Sequence, residues 1–325
     1  MSYTTPLRCP LWAVLAAVVF SSALFLPLFA DPLPPDGTVI SSNTTVTDRT
    51  TIVAGSSLAL TLADSATLTI RDSFFSGMGG AVYVNDGATF TIAPATTNGT
   101  GRVVYTGNTA SLYGGAISNS GSVTLTEVTF ASNTAVMDGG AIENYDSVML
   151  TNVTFTGNTV SGRGGAIDNW GGTVSINVTS GTHIEATGNT AGTGGFLYAY
   201  ASALTTFNIE AGATLTIGDA GETNKAIDSI ASYNATAVLT KSGAGKLVLH
   251  ADNSQFTGTF NIDAGAVEID GGTASHALNA TLASANAGAA LTKLGGGTLT
   301  LYQGQHRLHR RLQHRRRRGA SQPVR

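Results

Sequence analysis

Thiols are the scarcest reactive groups in this chain, with one cysteine, Cys9, in 325 residues. Cys9 lies in the leading apolar segment, so the residues beyond it have no disulfide, thiolate nucleophile or cysteine-based metal site. It also precedes the long apolar run instead of following it, which excludes a lipoprotein-type box. Charge is sparse too, at 11% Asp, Glu, Lys and Arg, and the body shows no long stretch with the 3.6-residue period of an amphipathic helix. A disordered chain is excluded by a hydrophobic content of 42%. What fills the chain is glycine, 40 copies, with Thr, Ala, Ser and Asn between short apolar runs. That composition suits many short strands joined by tight turns.

The first thirty residues differ from the rest. Arg8 precedes an apolar run from Leu11 to Phe29, and Ala30 is followed by Asp31 and Pro32-Leu33-Pro34-Pro35. This pattern predicts a signal peptide over residues 1–30, cleaved after Ala30. Leu28 stands where a small residue is usual, so the alternative is an uncleaved anchor.

A formal net charge of −3 hides a split. Eight arginines (Arg307, Arg310, Arg311, Arg315 to Arg318 and Arg325) lie in the last residues without an acid. Residues 1–302 hold nine Lys and Arg against twenty Asp and Glu, a net of −11. An acidic body argues against nucleic acid as a partner.

Repeats carry most of the information. Gly114-Gly115-Ala116-Ile117, Gly139-Gly140-Ala141-Ile142 and Gly164-Gly165-Ala166-Ile167 recur at 25-residue intervals. Gly79-Gly80-Ala81-Val82 precedes them, and Gly194-Gly195-Phe196-Leu197 is a degenerate successor. Between them Tyr105-Thr106-Gly107-Asn108, Phe130-Ala131-Ser132-Asn133 and Phe155-Thr156-Gly157-Asn158 form a second series, which Asn189 continues without the aromatic. Within one repeat, Val123, Leu125, Val128 and Phe130 alternate with polar residues and slip once, as expected where a strand bends and restarts. A unit of this size with two or three strands cannot bury a face alone, but coils stacked ~4.8 Å apart can. The expected fold is all-β, a right-handed single-stranded parallel β-helix. Stacking then places Phe130 on Phe155, Ile117 on Ile142 on Ile167, and Asn119 on Asn144 on Asn169. The paired glycines serve positive φ or close backbone approach, and the asparagines at the bends hydrogen-bond along the stack.

Gly-Gly-Ala-Ile alternating with Phe-x-x-Asn resembles the repeat of the polymorphic outer-membrane proteins, large autotransporter adhesins first associated with chlamydiae. The resemblance spans residues 74–197 and rests on three alternating copies in register. It implies a β-helical passenger displayed at, or released from, the outer membrane. A second repeat joins Leu239 to Leu249 with Leu291 to Leu301 at an offset of 52 residues. Lys241-Ser242-Gly243-Ala244-Gly245, followed by Asn253-Ser254-Gln255-Phe256-Thr257-Gly258, resembles the autotransporter-associated β-strand repeat.

Past Leu301 the second copy is not continued in the written sequence. Shifting the reading by one nucleotide permits Asn-Thr-Gly-Tyr-Thr-Gly-Gly-Tyr-Asn-Ile-Asp-Ala-Gly, which aligns with Asn253 to Gly265 at the same offset. We therefore expect a frameshift near codon 302, with residues 303–325 a disordered basic tail and a translocating barrel lost beyond it. A nucleic-acid or heparin patch is the competing reading of the arginines. The expected organisation is thus a signal peptide (1–30), a β-helix of 25-residue repeats (31–220), autotransporter-associated repeats (221–302) and the tail (303–325).

Parallel β-helices can also carry enzymes, which need clustered carboxylates on an accessible face. The best candidates are Glu143 and Asp168, one repeat apart, with Ser118 one repeat earlier and Asp138, Asp146 and Arg163 nearby. The bland alternative makes them solvated turn residues. His183 and His250 are isolated, and neither a metal site nor a cofactor is expected. Asn-x-Thr at Asn43, Asn98, Asn152, Asn177, Asn234 and Asn279 follows from a Thr-rich composition. Trp170, with Tyr145 one repeat earlier, is a candidate aromatic patch for sugar or protein contact, or else packs at an edge. The balance favours an exported, adhesin-like or structural passenger without catalysis. Its partners would be a surface protein or glycan of a host or neighbouring cell. A secreted polysaccharide lyase or glycoside hydrolase is the alternative.

Overall fold

The computed structural model describes residues 32–96, 99–222, 224–283, 289–301 and, as backbone, 312–314. The expected signal peptide and frameshift position lie outside these residues. Of the basic tail, Leu312–His314 is described, as a strand beside Ala290–Leu294.

Every coil is built from the alternation read in the sequence. In Ser122–Thr126 the side chains of Val123 and Leu125 are buried while the hydroxyl residues between them face outward. Each strand pairs in parallel with its equivalent in the next coil. Val123 opposes Val148, Phe130 opposes Phe155, and Ile117, Ile142 and Ile167 form a column. The pairing runs on into a ten-stranded, an eleven-stranded and a seven-stranded sheet, with a four-stranded sheet over the middle coils. This is a parallel β-helix. The ten- and eleven-stranded sheets continue past residue 221 without a break.

Two local devices set the coil. The first glycine of each pair takes the left-handed region, with φ of 63° at Gly114, 68° at Gly139 and 64° at Gly164. The second allows close approach: a Cβ on Gly115 or Gly140 would lie 2.1 Å from the glycine carbonyl oxygen of the next coil. The slip between Leu125 and Val128 is one left-handed residue, Glu127 (φ 59°), and Asn152 (φ 53°) repeats it.

Stacked side chains fill the interior. Tyr105, Phe130 and Phe155 stack at centroid distances of 4.9 and 5.1 Å, then Phe196 meets Phe155 edge-on at 5.9 Å. Each such buried side chain stabilises the fold by ~1.5–3 kcal/mol, and an aromatic pair adds ~0.5–1.5 kcal/mol. Two asparagine ladders line the bends. Asn108, Asn133 and Asn158 each donate from Nδ2 to the Oδ1 of the next, Asn189 last, at 2.8–2.9 Å. Asn119 donates to Asn144 (2.8 Å) and Asn144 to Asn169 (3.0 Å).

The Lys-x-Gly-x-Gly element has its own logic. Lys241 points inward, and its Nζ donates to the carbonyls of Ser242 (2.6 Å), Gly243 (2.7 Å) and Ala264 (3.1 Å). Burial pushes its pKa down to about 8. Lys293, its equivalent, donates to the Gly295 carbonyl at 2.5 Å.

Candidate functional site

The middle residue of each short strand in the seven-stranded sheet points away from the core. Ser118, Glu143, Asp168 and Tyr198 follow one another in register on that outer side. Both acids are nevertheless sealed, Glu143 at 1% exposure and Asp168 at 0%. The solvated-turn alternative is therefore corrected: these residues lie in strands and are buried.

Tyr145 forms part of the cover over Glu143. Tyr145 Oη donates to Glu143 Oε1 at 2.6 Å, and Ser118 Oγ donates to Oε2 at 3.2 Å. Among the described residues, Asp168 has no hydrogen-bond partner for either carboxylate oxygen. Arg163 reaches Asp138 instead, with Nε 3.7 Å from Oδ1 and the backbone N–H donating to Oδ1 at 2.8 Å. Its guanidinium lies 5.2 Å from the ring centre of Tyr198, 5.6 Å from Tyr200 and 5.7 Å from Trp170. Asp146 is exposed, outside the cluster.

Burial dominates the titration of the pair. It raises Glu143 to about 7, against the opposing hydrogen bonds from Tyr145 and Ser118 and with a further push from Asp138. Asp168 is held well above the ordinary carboxylate range by burial, then by Asp138 and Glu143, with Arg163 opposing. Burial thus favours the protonated form of both acids. Glycosidic chemistry needs an acid and a base within reach of the same bond, and here Asp168 has no exposed surface.

Beside the acids runs an aromatic ladder. Tyr145 and Trp170 meet edge-on at 6.4 Å, while Trp170 stacks on Tyr200 at 3.8 Å and Tyr200 on Tyr233 at 4.4 Å. Tyr200 and Tyr233 escaped the sequence reading because the coils lengthen beyond residue 170, which breaks the 25-residue spacing. An aromatic one residue past each degenerate strand, as in Leu197–Ala199 and Ile230–Ser232, is the signal that finds them.

A notch on the opposite side was also missed. Glu127 alone joins Ser122–Thr126 to Val128–Ala131 and two residues join Ser147–Thr151 to Thr154–Thr156, whereas longer connections follow Thr89–Pro94 and Thr173–Val178 in the coils on either side. The resulting cavity, about 650 Å³, is lined by Pro94, Thr96, Glu127, Asn152, Thr179 and Glu210 among others. Its floor is tied together, with Asn152 Nδ2 donating to Glu127 Oε1 (2.8 Å) and Thr179 Oγ1 (2.9 Å). His183 contacts Glu185 (3.1 Å), and His250 Nδ1 lies 2.6 Å from the Asp270 carbonyl. Among the described residues no three His, Cys, Asp or Glu are grouped to hold a metal ion.

A solenoid of repeated coils, with its strands paired in parallel and its asparagines stacked, defines the class of protein: a parallel β-helix. Comparison with known proteins places it further. Residues 152–169 match the Chlamydia polymorphic membrane protein repeat, and residues 239–269 match the passenger-associated-transport repeat. The chain is also 45% identical over 82 residues to the probable autotransporter YfaL of Escherichia coli (strain K12). That alignment covers 25% of this chain and 6% of the relative. No solved structure matches. The chain thus carries repeats of two autotransporter-passenger families, whose members are exported to the outer-membrane surface or the extracellular space.

Proposed function

We propose that this chain is the non-catalytic, adhesin-like part of a surface passenger, presenting its long stacked faces to a protein or glycan on a host or neighbouring cell. Residues 31–220 and 221–302 act in this reading as one continuous rod built from two kinds of repeat. The observation that carries it is the sealing of Glu143 and Asp168, at 1% and 0% exposure, which leaves the best acid pair out of a substrate's reach. Repeat families typical of displayed passengers support the same reading.

The test uses the purified chain in two assays. Saturable binding to intact cells or matrix proteins is expected, with no release of sugar from polysaccharides. Glycan cleavage that disappears in Glu143→Gln and Asp168→Asn would overturn the proposal and install a carbohydrate-active enzyme in its place. Failure to bind any cell or matrix surface would reduce the chain to a scaffold.

A further inference from the structure

The strands of the ten-stranded sheet contain one charged residue among those described, Lys241, and it points into the core. Most outward positions are hydroxyls and amides in register, with Ala59, Ala93 and Val238 among the exceptions. Thr91, Thr124, Ser175 and Thr206 lie in one row that continues to Thr240 and Asn261. Met149 (47% exposed) interrupts that row, and Leu204 (49%) and Val39 (59%) add apolar surface beside it. The eleven-stranded sheet differs: Arg71, Arg102, His183 and Glu185 stand exposed on its outer side.

We infer that the outer face of the ten-stranded sheet pairs with the same face of a second copy of this chain. Charge favours that occupant. Residues 1–302 carry a net of −11, so two bodies repel wherever acids meet, and this face presents none. Hydrogen-bonding chemistry favours it as well. A hydroxyl both donates and accepts, so a row of Ser and Thr is complementary to itself, as a two-fold contact requires. Area agrees: nine strand spacings of ~4.8 Å by ~16 Å of strand give ~700 Å² per copy. A standard stable interface buries ~800 Å² per partner. The pairing is independent of the adhesin reading, since a chain that binds no cell can still dimerise.

The test is sedimentation of the full chain across concentration and salt. At micromolar to ~100 µM protein, a range that brackets a modest affinity, the average mass is expected to climb from 33.0 kDa towards twice that value. Added salt should strengthen association, because it screens the repulsion between the acidic bodies. Combined Thr124→Asp and Thr206→Asp should weaken it at least ~100-fold through like-charge juxtaposition. Thr216→Asp, on the outward side of Thr214–Ile217 in the eleven-stranded sheet, should dimerise as the parent does. A monomer throughout, or a dimer indifferent to the two face substitutions, overturns the inference. So does a dimer dissolved by salt, which would assign association to the arginine-rich tail. A monomer that binds an uncharged polysaccharide, and loses it in the double variant, would give the face to a glycan.

Discussion

Asp228 Oδ1 accepts from both the backbone N–H (2.9 Å) and the side-chain amide (2.8 Å) of Asn189, so a carboxylate closes the ladder of four asparagines. Its second oxygen accepts the Gly188 N–H at 2.5 Å. Each asparagine needs an acceptor in the next coil, and the last one meets a group that only accepts. Burial raises Asp228 to about 6 even though all three of these hydrogen bonds favour its charged form. At the other end Asn108 donates to the Ile70 carbonyl (2.9 Å) and accepts the Ser73 N–H (3.2 Å). The ladder is therefore closed at both ends.

Interrupting it should be expensive. Asn158→Ala removes the acceptor used by Asn133 and the donors to Asn189 and to the Phe130 carbonyl (3.0 Å). With ~1–3 kcal/mol for each buried polar group left unpaired, a loss of ~3 kcal/mol or more is expected. Urea unfolding reads this as a lower midpoint. A midpoint within the error of the parent would show that the amide column contributes little.

Glycine identity should matter by position. Gly140→Ala places a Cβ 2.1 Å from the Gly165 carbonyl oxygen, so adjoining coils must separate. Gly181, at φ 76° with nothing within 4 Å of its added Cβ, meets backbone strain alone. We expect ~3 kcal/mol or more for the first and ~1 kcal/mol for the second, compared by thermal unfolding. Equal losses would refute the close-approach account.

Acid should stabilise the Glu143 cluster. The folded-state pKa, about 7, stands above the ordinary glutamate value of 4.5. The native state therefore holds this proton more tightly than the unfolded chain. The corresponding stability is complete below about pH 4.5 and lost as pH rises through about 7. Glu143→Gln should be neutral near pH 4 and stabilising at pH 8, by up to ~3 kcal/mol. The comparison is between the two proteins at each pH, because Asp168 and Asp228 shift in the same direction. A variant equally destabilised at both pH values would contradict this.

The lysine of the second repeat type is expected to be structural. Lys241→Met leaves the carbonyls of Ser242, Gly243 and Ala264 without their ammonium donor. A loss of ~2–4 kcal/mol follows. Hydrogen exchange should locate the loosening around residues 238–266 first, since each coil leans mainly on its neighbours. Uniform loosening along the rod would argue against a local role.

Periodicity made much of the fold legible. A fixed 25-residue spacing put Phe130 on Phe155 and Asn144 on Asn169 before any coordinates, because in-register stacking leaves equivalent residues no other neighbour. The same arithmetic paired Tyr145 with Trp170. It failed for Tyr200 and Tyr233, whose coils carry longer turns, and for the notch, which depends on differences in turn length between coils. It also left Glu143 and Asp168 exposed in the mind's eye. Residue spacing carries no information about what folds over the outside.

The sequence by itself determined the solenoid, its repeat, the residues that stack and the passenger families it resembles, since one rule applied coil after coil suffices for all of these. Only the tertiary structure decided that the acids are sealed, with Tyr145 hydrogen-bonded to Glu143. It alone brought Arg163 over three rings, set an inward lysine on three carbonyls, and left a ten-stranded face without outward charge. These features arise between coils, where turns of unequal length and side chains from separate repeats meet, and no single repeat encodes such a meeting.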